Sequence, residues 1–222
     1  MIQEELQPLV VDDLTTPYYS KFYQKMTCKV RNPESWKKIA DEYPGRTLDD
    51  LPGRVWLWSD LHFGHKNILK FSDRPYEDTV HMREQLILEH NVRVNHDDTC
   101  IVVGDFAFLP VPEANDILHR LNGYKVLIIG NHDVKKKKVM KLHFDEILIC
   151  AHMNVEDMDF LFTHYPCHRT PDWCFNIHGH EHVAMLSTDT WQHFNVNCEL
   201  QDYHPILMDD IVKQAKIRRL QL

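Results

Sequence analysis

The chain has 222 residues, 43% of them hydrophobic, enough for one sizeable core or for one domain with an appendage. Its formal net charge of −8 argues against a protein that coats nucleic acid through bulk electrostatics. No apolar run reaches the length of a membrane span, and Met1-Ile2-Gln3-Glu4-Glu5-Leu6 lacks the basic-then-apolar pattern of a secretory leader, so a cytoplasmic location and no membrane partner are expected.

Residues 1–52 differ from the rest. They carry Pro8, Pro17, Pro33, Pro44 and Pro52 and a cluster of rings at Tyr18, Tyr19, Phe22 and Tyr23. One short helix is expected over 34–43, started at Asn32-Pro33 and stopped by Pro44-Gly45. The stretch reads as an extension packed on a main domain that spans 53–222, with a lid over the active site as the sharper alternative.

From Gly53 onward strands and helices alternate. A strand over 54–59 runs into Asp60-Leu61-His62-Phe63-Gly64-His65. A short helix near 66–71 and a longer one over 77–94 follow. The apolar run Thr99-Cys100-Ile101-Val102-Val103 predicts a buried strand that ends in Gly104-Asp105. A helix over 113–121, ended by Asn122-Gly123, leads to a strand over 125–129 and the turn Gly130-Asn131-His132-Asp133. Lys135 to Lys138 begins a further helix, for which a solvated face is preferred to a basic rim.

Further strands are expected at 146–150, 159–163, 174–178, 191–197 and 205–208. A final helix over 210–219 is expected to be capped by Asp209-Asp210. The pattern is that of an α/β domain whose later, helix-poor strands make part of the sheet system mixed.

The six cysteines include no CxxC and read as reduced thiols. Sixteen histidines are more informative, because several sit at strand ends beside carboxylates. Five clusters stand out: Asp60-x-His62, Gly104-Asp105, Asn131-His132-Asp133, His164 and His180-x-His182. Strand ends are where ligands bind in such folds. Any one cluster is an ordinary turn, but five in succession are not a common accident. Together they offer carboxylate oxygen, imidazole nitrogen and amide oxygen, a mixture suited to divalent Mn, Fe, Ni, Co or Zn. The pattern H-x-H-x-D-H of another metallohydrolase class fails here, since Val183-Ala184 follows His182.

The order D-x-H, G-D, G-N-H-D, H, G-H-x-H resembles the calcineurin-like metallophosphoesterases over residues 54 to about 210. The surrounding Ser59-Asp60-Leu61-His62-Phe63-Gly64-His65, Arg74-Pro75 and Thr163-His164-Tyr165-Pro166 look like small bacterial or phage-type members. The resemblance implies a sandwich of two mixed β-sheets flanked by helices. It also implies two divalent ions, manganese preferred. Asp60, His62 and His182 would bind the first ion, Asn131, His164 and His180 the second, and Asp105 would bridge them. The implied reaction is hydrolysis of phosphate esters by a metal-bridging hydroxide, with His132 as general acid and Asp133 orienting its imidazole. A phosphodiester from a nucleotide or nucleic acid is favoured as substrate over a monoester or phosphoprotein, and a non-catalytic scaffold is a further alternative. His65, Asn67, Arg74 and Arg169 are the candidate substrate contacts, and His178 is expected behind the ligands.

Overall fold

The computed structural model describes residues 45–134, 139–167, 174–182 and 191–221. The expected helix over 34–43, Cys28, the lysine run 135–138 and Arg169 lie outside these residues, as does most of the N-terminal stretch expected to be an extension or lid.

Among the described residues the strands form two five-stranded sheets. One is built on β2 (Val55–Trp58), β3 (Thr99–Val102), β4 (Tyr124–Ile128) and β5 (Glu146–Leu148), all parallel, with β10 (Ile206–Leu207) antiparallel on the edge. The other takes the order β1 (Arg46–Thr47), β6 (Ala151–Val155), β7 (Met158–Phe162), β8 (Cys174–His178), β9 (His193–Asn195). There β6 and β7 are antiparallel and the other pairs parallel. Both sheets are therefore mixed.

Period-two alternation explains how the layers form. Leu57, Ile101, Val126 and Ile128 point into a core shared with Phe160, Phe162, Phe175 and Ile177 of the second sheet. Trp58, Cys100, Val102 and Leu127 point the other way, under the helices. Burial on both faces makes β3 a continuous apolar run rather than an alternating one. The helix layer is α1 (Ile68–Phe71), α2 (Thr79–Arg93) and α3 (Val111–Arg120). Asp78 caps α2 by accepting from the amides of Val80 and His81 at 2.8 Å each, and Met82, Leu86 and Ile87 face the core.

Several boundaries differ from expectation. The strand expected at 146–150 is β5, and a strand that was not expected follows it: the chain leaves β5, passes Ile149-Cys150 and enters β6 in the other sheet. Leu148 to Met153 is buried throughout, so the apolar pattern gave no break. Residues 46–47, expected within the extension, pair with β6, and Leu48 is buried. Where only a turn was expected, Asn131–Val134 form one helical turn, α4. The last helix, α5 (Met208–Arg219), starts two residues early. Asp209 and Asp210 lie in its first turn, favourably placed for the helix dipole, and do not cap it. Gly123 follows α3 after a cap at Leu121. The five described cysteines are buried. No helix among the described residues is long and apolar enough to cross a membrane.

Candidate metal centre

In the first sheet the parallel strands β2, β3 and β4 all end on one edge. Their following turns carry Asp60 and His62, then Asp105, then Asn131 and His132. In the second sheet β7 and β8 are parallel, and their ends carry His164 and then His180 and His182. Backbone hydrogen bonds join these turns. The Asp60 amide donates to Gly104 O, the His62 amide to Asp105 O and the Gly179 amide to His164 O, each at 3.0 Å.

Four of the predicted ligands adopt left-handed backbone: Asp60 (φ 58°), His62 (φ 51°), Asp105 (φ 56°) and His180 (φ 71°). That conformation is sparsely populated for non-glycine residues and marks a turn held by its surroundings. Two glycines make the close approach possible. A Cβ on Gly104 (φ 89°) would stand 2.2 Å from His164 Nδ1. A Cβ on Gly130 would stand 2.3 Å from Asp105 Oδ1, so this glycine serves as space for the carboxylate rather than as a positive-φ turn residue.

The ligand atoms converge. Asp60, His62 and His182 form one group whose ligand atoms lie within 4.8 Å of one another, and Asp60, Asp105 and His164 form another. His62 Nε2 is 3.8 Å from Asp60 Oδ1 and 3.7 Å from Asp105 Oδ2. His182 Nε2 is 3.7 Å from Asp60 Oδ1, and His164 Nε2 is 3.5 Å from Asp105 Oδ2. These gaps exceed hydrogen-bond length. They match the spacing that ligands about 2.0–2.2 Å from a shared cation leave between themselves. His164 Nε2 is also 3.0 Å from Asn131 Oδ1, and the His180 ring lies 5.3 Å from the His164 ring.

The hydrogen-bond accounting supports a cation. Asp60 Oδ2 accepts from Ser59 Oγ at 2.6 Å and from the His180 amide at 2.9 Å. Asp60 Oδ1 and both ring nitrogens of His62 are buried with no hydrogen-bond partner. Such groups are costly unless something else neutralises or binds them. His164 donates from Nδ1 to Val103 O at 2.8 Å, so its Nε2 faces two acceptor oxygens, Asn131 Oδ1 and Asp105 Oδ2. A positive charge among them, as a proton or a metal ion, would satisfy all three.

The electrostatics agree. Burial disfavours charge on both Asp105 and His164, but their contact reverses this, holding the carboxyl low and raising the imidazole to about 10. Asp60 is pushed up, by burial first and by the Asp105 charge in addition. Burial holds His62 well below its ordinary range and His180 down at about 3, which leaves both as neutral imidazoles, the form in which a histidine can ligate a cation. The donor set and the unpartnered atoms thus fit divalent cations.

Two expectations need correction. Arg74 is not a phosphate contact. It is buried, with Nη2 donating to Asp60 O at 2.7 Å and Nη1 to Leu61 O at 2.8 Å, while Nε and Nη2 both bond Glu199 Oε1. Glu199 also accepts from His182 Nδ1 at 2.9 Å, which fixes the ring that presents Nε2 to Asp60. Asp133 does not aim its carboxylate at the His132 ring as expected. Its oxygens accept from the amides of Gly130 (2.8 Å), Asp105 (2.8 Å) and Phe106 (3.1 Å), tying the turn after β4 to the turn after β3. His132 itself donates its amide to Asp105 Oδ1 at 2.8 Å, and its ring Nε2 is 3.7 Å from Asp105 Oδ2.

His65 is half-buried and stacks on Phe108, whereas Asn67 is exposed at the start of α1. His178 is buried, and its Nδ1 donates to Gly179 O at 3.0 Å. Sequence reading had no reason to select Glu199, which lies 125 residues from Arg74, or the rings of Phe108 and Tyr165 beside His132 and His180.

No protein-family model matches the chain. A crystal structure of a protein of unknown function from Aquifex aeolicus, AQ665, is similar at a TM-score of 0.60 and 27% identity, over 72% of this chain and 98% of that one. YfcE, a phosphoesterase from E. coli, overlaps at a TM-score of 0.35 and 18% identity, over 65% of this chain and 78% of its own. The uncharacterized protein MJ1445 of Methanocaldococcus jannaschii is 30% identical over 167 residues, which cover 72% of this chain and 90% of that protein. The chain belongs to the family of that archaeal protein.

Proposed function

We propose that this protein is a hydrolase of phosphate esters that works with two divalent cations, and that phosphodiesters of nucleotide or nucleic-acid origin are preferred to phosphomonoesters and phosphoproteins. The observation that supports this most is the set of buried ligand atoms without hydrogen-bond partners, Asp60 Oδ1 and the two nitrogens of His62, beside the Asp105–His164 pair. Asp60, His62 and His182 would hold one cation and Asn131, His164 and His180 the other, with Asp105 between them. Mn, Fe, Ni, Co and Zn suit these donors, with Mn²⁺ the first choice. Bound there, two cations supply Lewis acidity, bringing the pKa of water toward neutrality and neutralising phosphoryl oxygens.

The chain's own residues do the rest. Ser59 and the His180 amide fix Asp60 Oδ2, which turns Oδ1 toward His62 and His182. The His132 amide fixes Asp105 Oδ1, which leaves Oδ2 facing His62 and His164. The His132 side chain is 29% exposed, so it borders the site and remains reachable from solvent. Its role is to deliver a proton from the ring to the departing alkoxide. Asp133 acts one step behind, by holding the loop amides that set Asp105 against His132.

Two measurements test this reading. Chelation with EDTA should abolish hydrolysis of bis-p-nitrophenyl phosphate, and Mn²⁺ or Ni²⁺ should restore it. Full turnover by protein that elemental analysis shows to be metal-free would refute the dimetal assignment. His132→Ala should keep its metal content and lose about 10²–10⁴-fold in kcat. Turnover equal to the parent would remove His132 from the chemistry.

A further inference from the structure

Arg74 is a buried cation that the proposed chemistry does not use. It lies on the link between α1 and α2, where its amide donates to Leu69 O at 3.0 Å, and its side chain has no exposed surface. A guanidinium persists in such a place only where its donors are met. Two of the groups that meet them are carbonyls of a strained turn. Asp60 and His62 hold left-handed backbone, and Nη2 and Nη1 donate to Asp60 O and Leu61 O at 2.7 and 2.8 Å. Left-handed residues of this kind persist only when their surroundings over-determine them, and a buried carbonyl left without a donor would add to the cost. Cys198 Sγ, 3.4 Å from Asp60 O, offers only a weak donor in addition.

The third partner is Glu199, on the short helical turn Cys198–Gln201. Its Oε1 takes Arg74 Nε and Nη2 at 2.9 and 2.7 Å and also His182 Nδ1 at 2.9 Å. One planar fork therefore spans the turn that carries Asp60 and His62 and, through a single carboxylate, the ring of His182. These are the three ligands proposed for the first cation alone. Those proposed for the second are set by other groups: His164 donates from Nδ1 to Val103 O, and its Nε2 meets Asn131 Oδ1.

We infer that Arg74 is the positioning residue of the first cation site: it holds Asp60, His62 and His182 in one arrangement and takes no part in holding the second cation. The inference rests on the dimetal part of the reading above and adds which side chain sets the affinity of one of the two sites. Lysine would keep the charge but present one point donor in place of the fork, and so could not serve both carbonyls and Glu199.

The test places Arg74→Lys in two backgrounds, Asn131→Ala, which leaves the first ligand set, and His182→Ala, which leaves the second. Mn²⁺ affinity is read by competition with a metal-sensitive dye, at a temperature where circular dichroism shows each variant folded. In the Asn131→Ala background Arg74→Lys should weaken Mn²⁺ binding about ten-fold or more, and in the His182→Ala background by about three-fold or less. Equal losses in the two backgrounds, which a merely structural role would give, or no loss in the first, would overturn the assignment. Should Arg74→Lys not fold, Glu199→Gln, which removes the charge that Arg74 meets, is read in the same two backgrounds against the same outcomes. Hydrolysis of bis-p-nitrophenyl phosphate by the Mn²⁺-loaded parent separates the two ideas. A parent that binds two cations and turns nothing over would refute the phosphoesterase reading and leave the role of Arg74 standing.

Discussion

Asp60 and Asp98 are two buried aspartates at opposite ends of the same parallel sheet, one after β2 and one just before β3. Asp98 accepts from the Arg54 amide (3.0 Å) and guanidinium (3.1 Å), from Trp56 Nε1 (3.2 Å), and from the Asn95 amide (3.0 Å) and side chain (3.3 Å). Burial pushes its carboxyl up, but these donors outweigh burial and hold it well below the usual carboxylate range. Asp60 keeps one oxygen unpartnered, and burial raises its carboxyl. The same residue type therefore serves two ends. At the Asp98 end the protein satisfies its own charge and so fixes the fold. At the Asp60 end it withholds partners, and that leaves affinity for something from outside.

The contrast can be broken at either end. The largest effect is expected for Asp60→Asn, which should lower cation affinity by more than the roughly 10–100-fold typical of outer ligands and take turnover with it. Asp98→Asn should leave metal content and kcat as in the parent, and elemental analysis with steady-state kinetics on both variants checks the pair. Equal metal loss in the two would erase the distinction. Next comes Glu199→Gln. It replaces the carboxylate that accepts from His182 and Arg74, and should weaken metal binding by about 10–100-fold without unfolding the chain. Competition with a metal-sensitive dye would read it.

The stability end follows. Asp98→Asn should cost about 1.5–3 kcal/mol in urea unfolding at pH 7, because it removes a charged acceptor from buried donors. The smallest effect is its pH dependence. A carboxyl held low in the folded state stabilises fully above its unfolded pKa of about 4, and the contribution fades as pH falls below that. The difference between parent and Asp98→Asn should therefore narrow on acidification from about pH 5 toward pH 3. A gap that stays constant over that range would mean that the charge on Asp98 is not what stabilises.

The sequence made one class of fact easy to read and another hard. β3 was legible because Thr99 to Val103 is buried on both faces and so appears as an unbroken apolar run. The convergence of the candidate ligands was legible because each is a polar residue abutting such a run, and parallel strands bring their ends to one edge. The change of sheet at Ile149-Cys150 was not legible, since burial continues across it while the hydrogen-bonding partner switches from β4 to β7. Arg74 and Asp133 were assigned to substrate and to His132 because both lie beside the motif in sequence. Their partners are remote: Glu199 is 125 residues from Arg74, and the Asp105 amide is 28 from Asp133. Side-chain direction is settled by the folded surroundings, which local spacing does not encode.

The left-handed backbone at Asp60, His62, Asp105 and His180 has a consequence for what the chain could become. Each such residue carries a conformational cost of order 1 kcal/mol or more that glycine, or in part asparagine, would relieve. Relief and ligation are mutually exclusive at Asp60, because glycine there removes the carboxylate that His182 faces. Selection for robustness alone, with turnover no longer required, would favour substitutions at the very positions proposed to hold the cations. A descendant with the same sandwich, a higher melting temperature and no metal would be the predictable product of such drift.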